Sequence, residues 1–125
     1  MAVELVWDNE EKTIVRWIFS GQFTWEDYEQ GSRKIEEMIE DIDHKFTTIF
    51  DLTLMTGMPQ YPVSRYPKLI RDVPDKQEFL IVVSNNKMID MFGRIFTRVY
   101  WMNIKVARNL EEAHAIIEER KHSKT

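Results

Sequence analysis

The stretch Thr13–Ile42, TIVRWIFSGQFTWEDYEQGSRKIEEMIEDI, carries two hydrophobic periods back to back. From Thr13 to Phe19, β-branched and aromatic side chains occupy both alternating sets of positions, the pattern of a strand buried on both faces. Ser20-Gly21-Gln22 breaks that run. From Thr24 the period lengthens: Trp25, Tyr28, Ile35, Met38, Ile39 and Ile42 recur at helical spacing, with Glu29, Gln30, Arg33 and Lys34 on the outer side. Thr24 stands where a helix N-cap belongs, Asp27 follows three residues later, and Phe23 and Tyr28 hold the positions of a hydrophobic staple. The spacing predicts a helix over Trp25–Ile42. A buried strand running into an amphipathic helix is the opening of an α/β unit, and the flanking sequence extends it in both directions.

Upstream, Val3, Leu5 and Trp7 alternate with Ala2, Glu4 and Val6, and Asp8-Asn9-Glu10-Glu11-Lys12 supplies turn chemistry. The chain therefore opens with a hairpin whose second strand is the more buried. Downstream, Phe46–Leu52 reads as a third strand and Glu78–Val83 as a fourth. Between them lies an irregular stretch with Pro59, Pro62, Pro67 and Pro74, where a short helix fits over Val63–Arg71. Ser84-Asn85-Asn86 caps a helix carrying Met88, Met91, Phe92, Ile95, Phe96 and Val99 on one face. Ile104 and Val106 alternate with Lys105 and Ala107 as an edge strand does, and Asn109 caps a last helix with Leu110, Ala113, Ile116 and Ile117 inward.

The predicted order is β-β-α-β-α-β-α-β-α. Right-handed crossovers turn it into a mostly parallel five-stranded sheet with an antiparallel first strand, an α/β fold. At 125 residues, 43% hydrophobic and 12% aromatic, the chain suits one domain, expected over residues 1–119, with a frayed tail over 120–125. There is no cysteine, which removes disulfides, thiol nucleophiles and cysteine metal sites. A net charge of −4 argues against a nucleic-acid or anionic-membrane surface. The longest aliphatic or aromatic run, Phe79–Val83, is far short of a membrane span, and no signal-type segment opens the sequence. A cytoplasmic protein without integral membrane association is the expectation.

That order of elements resembles the STAS domain family, whose best-known members are the SpoIIAA-like anti-sigma-factor antagonists. Asp51-Leu52-Thr53 is similar to the Asp-Leu-Ser/Thr that ends the family's third strand, and Asn109-Leu110-Glu111-Glu112-Ala113 to the opening of its terminal helix. Antagonists continue with Asp-Ser-Ser/Thr-Gly, whose hydroxyl is phosphorylated at a helix start. Here the chain continues Leu54-Met55-Thr56-Gly57-Met58-Pro59-Gln60-Tyr61-Pro62, and neither Thr56 nor Ser64 has that context. The resemblance is thus to a divergent SpoIIAA-like subgroup, also likened to Sec14-type lipid-binding domains. It implies a regulatory or interaction module, without the phosphorylation switch, that binds a protein partner or itself.

The residues themselves offer little catalytic machinery. Gly21, Gly31, Gly57 and Gly93 form no phosphate-cradling loop, and His44, His114 and His122 share no metal spacing. Glu111, His114 and Glu118 fall on one helix side, but a carboxylate-bridged site needs that motif twice, so no metal or other cofactor is expected. Asp51, ending an apolar strand at the carboxyl edge of the sheet, either rims a ligand site or braces the turn after it. Ser20, Asp51, Thr53 and Ser84 all terminate neighbouring strands and would border a pocket for a small apolar ligand, with Tyr61, Arg65 and Tyr66 in the loop closing over it. An enzyme would need Asp51 as a base paired with Ser84 or His44, which no spacing supports. Arg94, Arg98 and Trp101 recur at i, i+4, i+7 opposite the apolar helix face and form a candidate partner or homodimer interface.

Overall fold

The computed structural model describes residues 2–57, 74–84 and 104–123. Its elements are β1 (Val3–Trp7), β2 (Ile14–Gln22), α1 (Trp25–Ile39), β3 (Phe46–Gly57), β4 (Gln77–Val83), β5 (Ile104–Ala107) and α2 (Leu110–Ser123). The strands form one sheet in chain order, with β1 antiparallel to β2 and every later neighbour parallel. This is the mixed α/β sheet the hydrophobic periods predict. The helices expected over Val63–Arg71 and along 88–102 lie outside the described residues.

The opening hairpin is clamped by one side chain. Asn9 Oδ1 accepts from the backbone N–H groups of Thr13 (3.0 Å) and Ile14 (3.3 Å), while its Nδ2 donates to Thr13 Oγ1 (2.6 Å). The clamp holds Lys12 at φ 56°, a left-handed conformation that costs a non-glycine residue of order 1 kcal/mol or more.

The two faces of the sheet bury different chemistry. Toward α1 point Val15, Trp17, Phe19, Phe46, Phe50, Leu52, Leu80 and Val82, which join Phe23, Trp25, Tyr28 and Ile35 in one cluster. Toward α2 point Ile14, Ile49, Phe79, Ile81, Val83 and Ala107, closed over by Ala113 and Ile117. The Thr24 capping box forms as the spacing predicts: Asp27 N–H donates to Thr24 Oγ1 (3.1 Å) and Thr24 N–H to Asp27 Oδ2 (2.9 Å). Phe23 and Tyr28 are both buried beside Phe19, at ring separations of 4.8 and 6.4 Å. Gly31 lets α1 approach: a Cβ there would lie 2.6 Å from Trp17 Cζ3.

Several boundaries differ from the sequence reading. α1 ends at Ile39 rather than Ile42, although Ile42 stays buried. No basic residue occupies the last turn of α1; Lys76, just before β4, supplies the charge instead, its Nζ donating to the carbonyls of Ile39 and Ile42. β2 does not break at Ser20 but continues to Gln22, because Gly21 takes φ +62° without strain. β3 likewise runs to Gly57 instead of stopping at Leu52, following β2 through two register shifts. At the other end, α2 is helical through Ser123, with the Arg120 guanidinium 4.4 Å from the Phe79 ring centroid; residues 120–123 are helix, not a frayed tail. Among the described residues no helix is long and apolar enough to cross a membrane.

Candidate functional site

Because β2 to β5 run parallel, their carboxyl ends share one edge of the sheet, where Ser20, Asp51, Thr53 and Ser84 were expected. Asp51 lies between Ile18 of β2 and Val83 of β4, Ser20 is opposite Leu54, and Ser84 directly follows β4, its N–H donating to Ala107 O (3.0 Å). Asp51 and Ser84 are buried; Thr53 is exposed.

The register explains what Asp51 does. Ile18 pairs with Asp51 and Ser20 with Leu54, so β3 spends two residues, Leu52 and Thr53, where β2 has only Phe19. That is a β-bulge, which leaves an extra backbone amide outside the ladder. Asp51 Oδ1 meets it, accepting from Thr53 N–H (3.0 Å) and Thr53 Oγ1 (2.6 Å). The carboxylate oxygen turns back onto its own strand. A second shift, Gly21 opposite Met55 and Gln22 opposite Gly57, inserts Thr56 in the same way. Thr56 is therefore an exposed strand residue rather than a hydroxyl at a helix start.

Other sequence candidates separate. His44 precedes β3 at the opposite edge of the sheet, its Nδ1 3.0 Å from Lys45 O. Seven residues of extended chain put it about 20 Å or more from Asp51, too far for a shared proton transfer. Tyr61, Arg65, Tyr66, Ser64, Arg94, Arg98 and Trp101 lie outside the described residues. Among the described residues no three His, Asp or Glu side chains gather as metal ligands do.

His114 has a role that the spacing of its own helix did not show. Its Nε2 contacts Asp8 Oδ2, and Asp8 Oδ1 lies 3.7 Å from the Arg16 guanidinium. The trio ties α2 to the β1–β2 hairpin across the sheet. The Asp8 side chain is only 10% exposed, so the bridge is shielded on one side, whereas His114 is 45% exposed. The partners stand 106 residues apart, beyond any local motif.

Clefts formed by described residues open away from Asp51 and Ser84. One of about 430 Å³ lies between β1 and α1, lined by Val3–Val6, Gln30, Gly31, Arg33, Lys34 and Glu37. Another of about 410 Å³ borders α1 and the start of β4, around Ile35, Ile39, Pro74 and Lys76. A smaller one, about 130 Å³, sits at the amino edge between Thr13, Lys45, Thr47, Glu78 and Arg120.

No protein-family model matches the chain, and no curated protein matches it in sequence. In three dimensions it is similar to an uncharacterised DUF3478-family protein with a SpoIIAA-like fold from Shewanella loihica PV-4. The TM-score is 0.67 at 16% identity, over 91% of this chain and 90% of that one. The fold of the chain is SpoIIAA-like.

Proposed function

We propose that this SpoIIAA-like chain is a non-enzymatic regulatory or interaction module that binds a protein partner or itself, without a phosphorylation switch. The observation that supports this most is the bonding of Asp51. The candidate base at the carboxyl edge has Oδ1 engaged by Thr53 N–H and Oγ1 in holding a bulge. The contact set this reading uses is Arg94, Arg98 and Trp101, read from the sequence. Sedimentation velocity of the full chain across a concentration series, with Trp101→Ala beside it, tests the reading. Association that the variant weakens supports it. A wild type that stays monomeric throughout and retains no protein from cell extract contradicts it.

A second reading, a site for a small apolar ligand or lipid bordered by Ser20, Asp51, Thr53 and Ser84 with Tyr61 and Arg65, is favoured by one observation. Leu54, opposite Ser20 at this edge, is 61% exposed, an apolar side chain set beside the rim. Native mass spectrometry of freshly purified protein should then reveal a co-purifying molecule. Its absence, together with no thermal shift across a lipid panel, removes this reading.

A further inference from the structure

At the edge of the sheet opposite Asp51, the amino ends of β2, β3 and β4 meet the last turn of α2, and the cleft of about 130 Å³ opens there. Thr47 lines it. The residue pairs with Ile14 on one side and Phe79 on the other, and it alternates with Phe46, so its side chain faces α2. Although Thr47 is 6% exposed, its hydroxyl makes no hydrogen bond among the described residues. The neighbouring threonines differ: Thr48 donates to Gln77 Oε1 (2.6 Å), and Thr13 Oγ1 accepts from Asn9 Nδ2. Nor is the Thr47 oxygen sealed from solvent, so it looks into the cleft. Such a hydroxyl takes a water or a polar guest, and the charges around it decide which.

Those charges are cationic on balance. Lys45, Arg120 and Lys121 line the cleft against one carboxylate among its described lining residues, Glu78. Lys121 is shared with Glu118 at 3.6 Å, both side chains being more than half exposed. Setting that pair aside still leaves Lys45 and Arg120 against Glu78. Lys45 is exposed and has no ion pair among the described residues. The Arg120 guanidinium is held over the ring of Phe79, the residue paired with Thr47, which fixes its fork of donors at the cleft. Arg120 and Lys121 also offset the negative end of the α2 dipole, and that role alone would account for them. It accounts neither for Lys45, which comes from the residue before β3, nor for the open hydroxyl of Thr47.

We infer that this cleft binds a phosphate-sized oxyanion, with Arg120 and Lys45 supplying the charge and the Thr47 hydroxyl a further donor. Lys45 and Thr47 stand two residues apart at the start of β3, so strand alternation turns both toward α2, and Arg120 closes from the helix. The volume is too small for a drug-sized molecule, whose sites run to roughly 300–1,000 Å³, and suits one tetrahedral group. Hydrogen bonds to an ionised acceptor are roughly twice as strong as neutral ones, which favours the anion over water at this hydroxyl. A free phosphate ion and a phosphate monoester present the same group to these donors. The site lies at the edge opposite Asp51 and does not rest on the interaction-module reading.

The test is titration of the isotope-labelled full chain with inorganic phosphate, beside chloride at matched ionic strength. Saturable amide chemical-shift changes are expected at Thr13, Lys45, Thr47, Glu78 and Arg120, with a dissociation constant in the millimolar range. Lys45→Gln should weaken binding roughly threefold, and Thr47→Val, which exchanges the hydroxyl for a methyl of similar size, roughly tenfold. Neither variant should melt below wild type, because Lys45 is exposed and the Thr47 hydroxyl has no bond to lose among the described residues. If Thr47→Val does not fold, the exposed Lys45→Gln decides alone. Phenyl phosphate separates the sources: tighter binding than inorganic phosphate assigns the group to a larger phosphorylated molecule, and equal or weaker binding assigns the site to the free ion. The inference is overturned by no saturation at tens of millimolar phosphate, by the same response to chloride, by shifts elsewhere in the chain, or by both folded variants binding like wild type.

Discussion

The two helices are fastened to the same sheet by different means. α1 sits on rings: Trp17 lies 5.1 Å from Tyr28 and 5.3 Å from Phe50, and Phe19 4.8 Å from Phe23 and 5.3 Å from Phe50. Each such pair contributes about 0.5–1.5 kcal/mol beyond the area it buries. Its ends are closed as well, by the Thr24–Asp27 box and by Lys76. α2 rests on a mainly aliphatic layer through Ala113 and Ile117, one cap in which Glu112 N–H donates to Asn109 Oδ1 (2.8 Å), the Arg120 guanidinium over Phe79, and the contact of His114 with Asp8. Ring interlock resists substitution of any one member poorly, because neighbouring rigid groups cannot close the gap. A thin aliphatic layer relaxes more easily. The α1 side should therefore be the more sensitive of the two.

Substitutions on either side put that contrast to the test. Phe19→Ala, at a fully buried position touching four rings' worth of neighbours, should cost about 3–5 kcal/mol in chemical unfolding. Ile117→Ala, on the α2 side, should cost about 2–3 kcal/mol. Equal costs would break the comparison. Gly31→Ala gains about 1 kcal/mol of helix propensity but drives a methyl into Trp17, and the overpacking of about 1–3 kcal/mol should leave the variant less stable than wild type. A more stable variant would mean that α1 is not seated on Trp17. Smallest of all, His114→Ala should cost under about 1 kcal/mol in chemical unfolding, since the imidazole is half exposed.

The sequence carried the α1 side well because its signals are local. Thr24, Asp27 and Phe23 sit within four residues of one another, and the change of period after Phe19 marks the junction of strand and helix. β3 beyond Leu52 was hidden by its own bulges. Thr53 and Thr56 are the added residues, and they break the alternation by which a strand is recognised, so the run looks like the start of a loop. Long-range partners leave no trace in spacing, which is why neither the Asp8–His114 contact nor the service of Lys76 to α1 could be read from the chain. Asp51 was legible as a residue at a telling place. The bonds its Oδ1 accepts from Thr53 depend on a register shift that only the pairing with β2 reveals.

Central to the account is that Asp51 holds the bulged end of β3. Thermal melting of Asp51→Ala beside Asp51→Asn measures this directly. Asparagine keeps an oxygen that can accept from Thr53 N–H, while alanine strands that amide at a cost of about 1–3 kcal/mol. The expected result is a melting temperature close to wild type for Asp51→Asn and one lower by roughly 3–6 °C per kcal/mol lost for Asp51→Ala. An alanine variant that melts at or above wild type, as happens where a residue is kept for activity at the expense of stability, would contradict it.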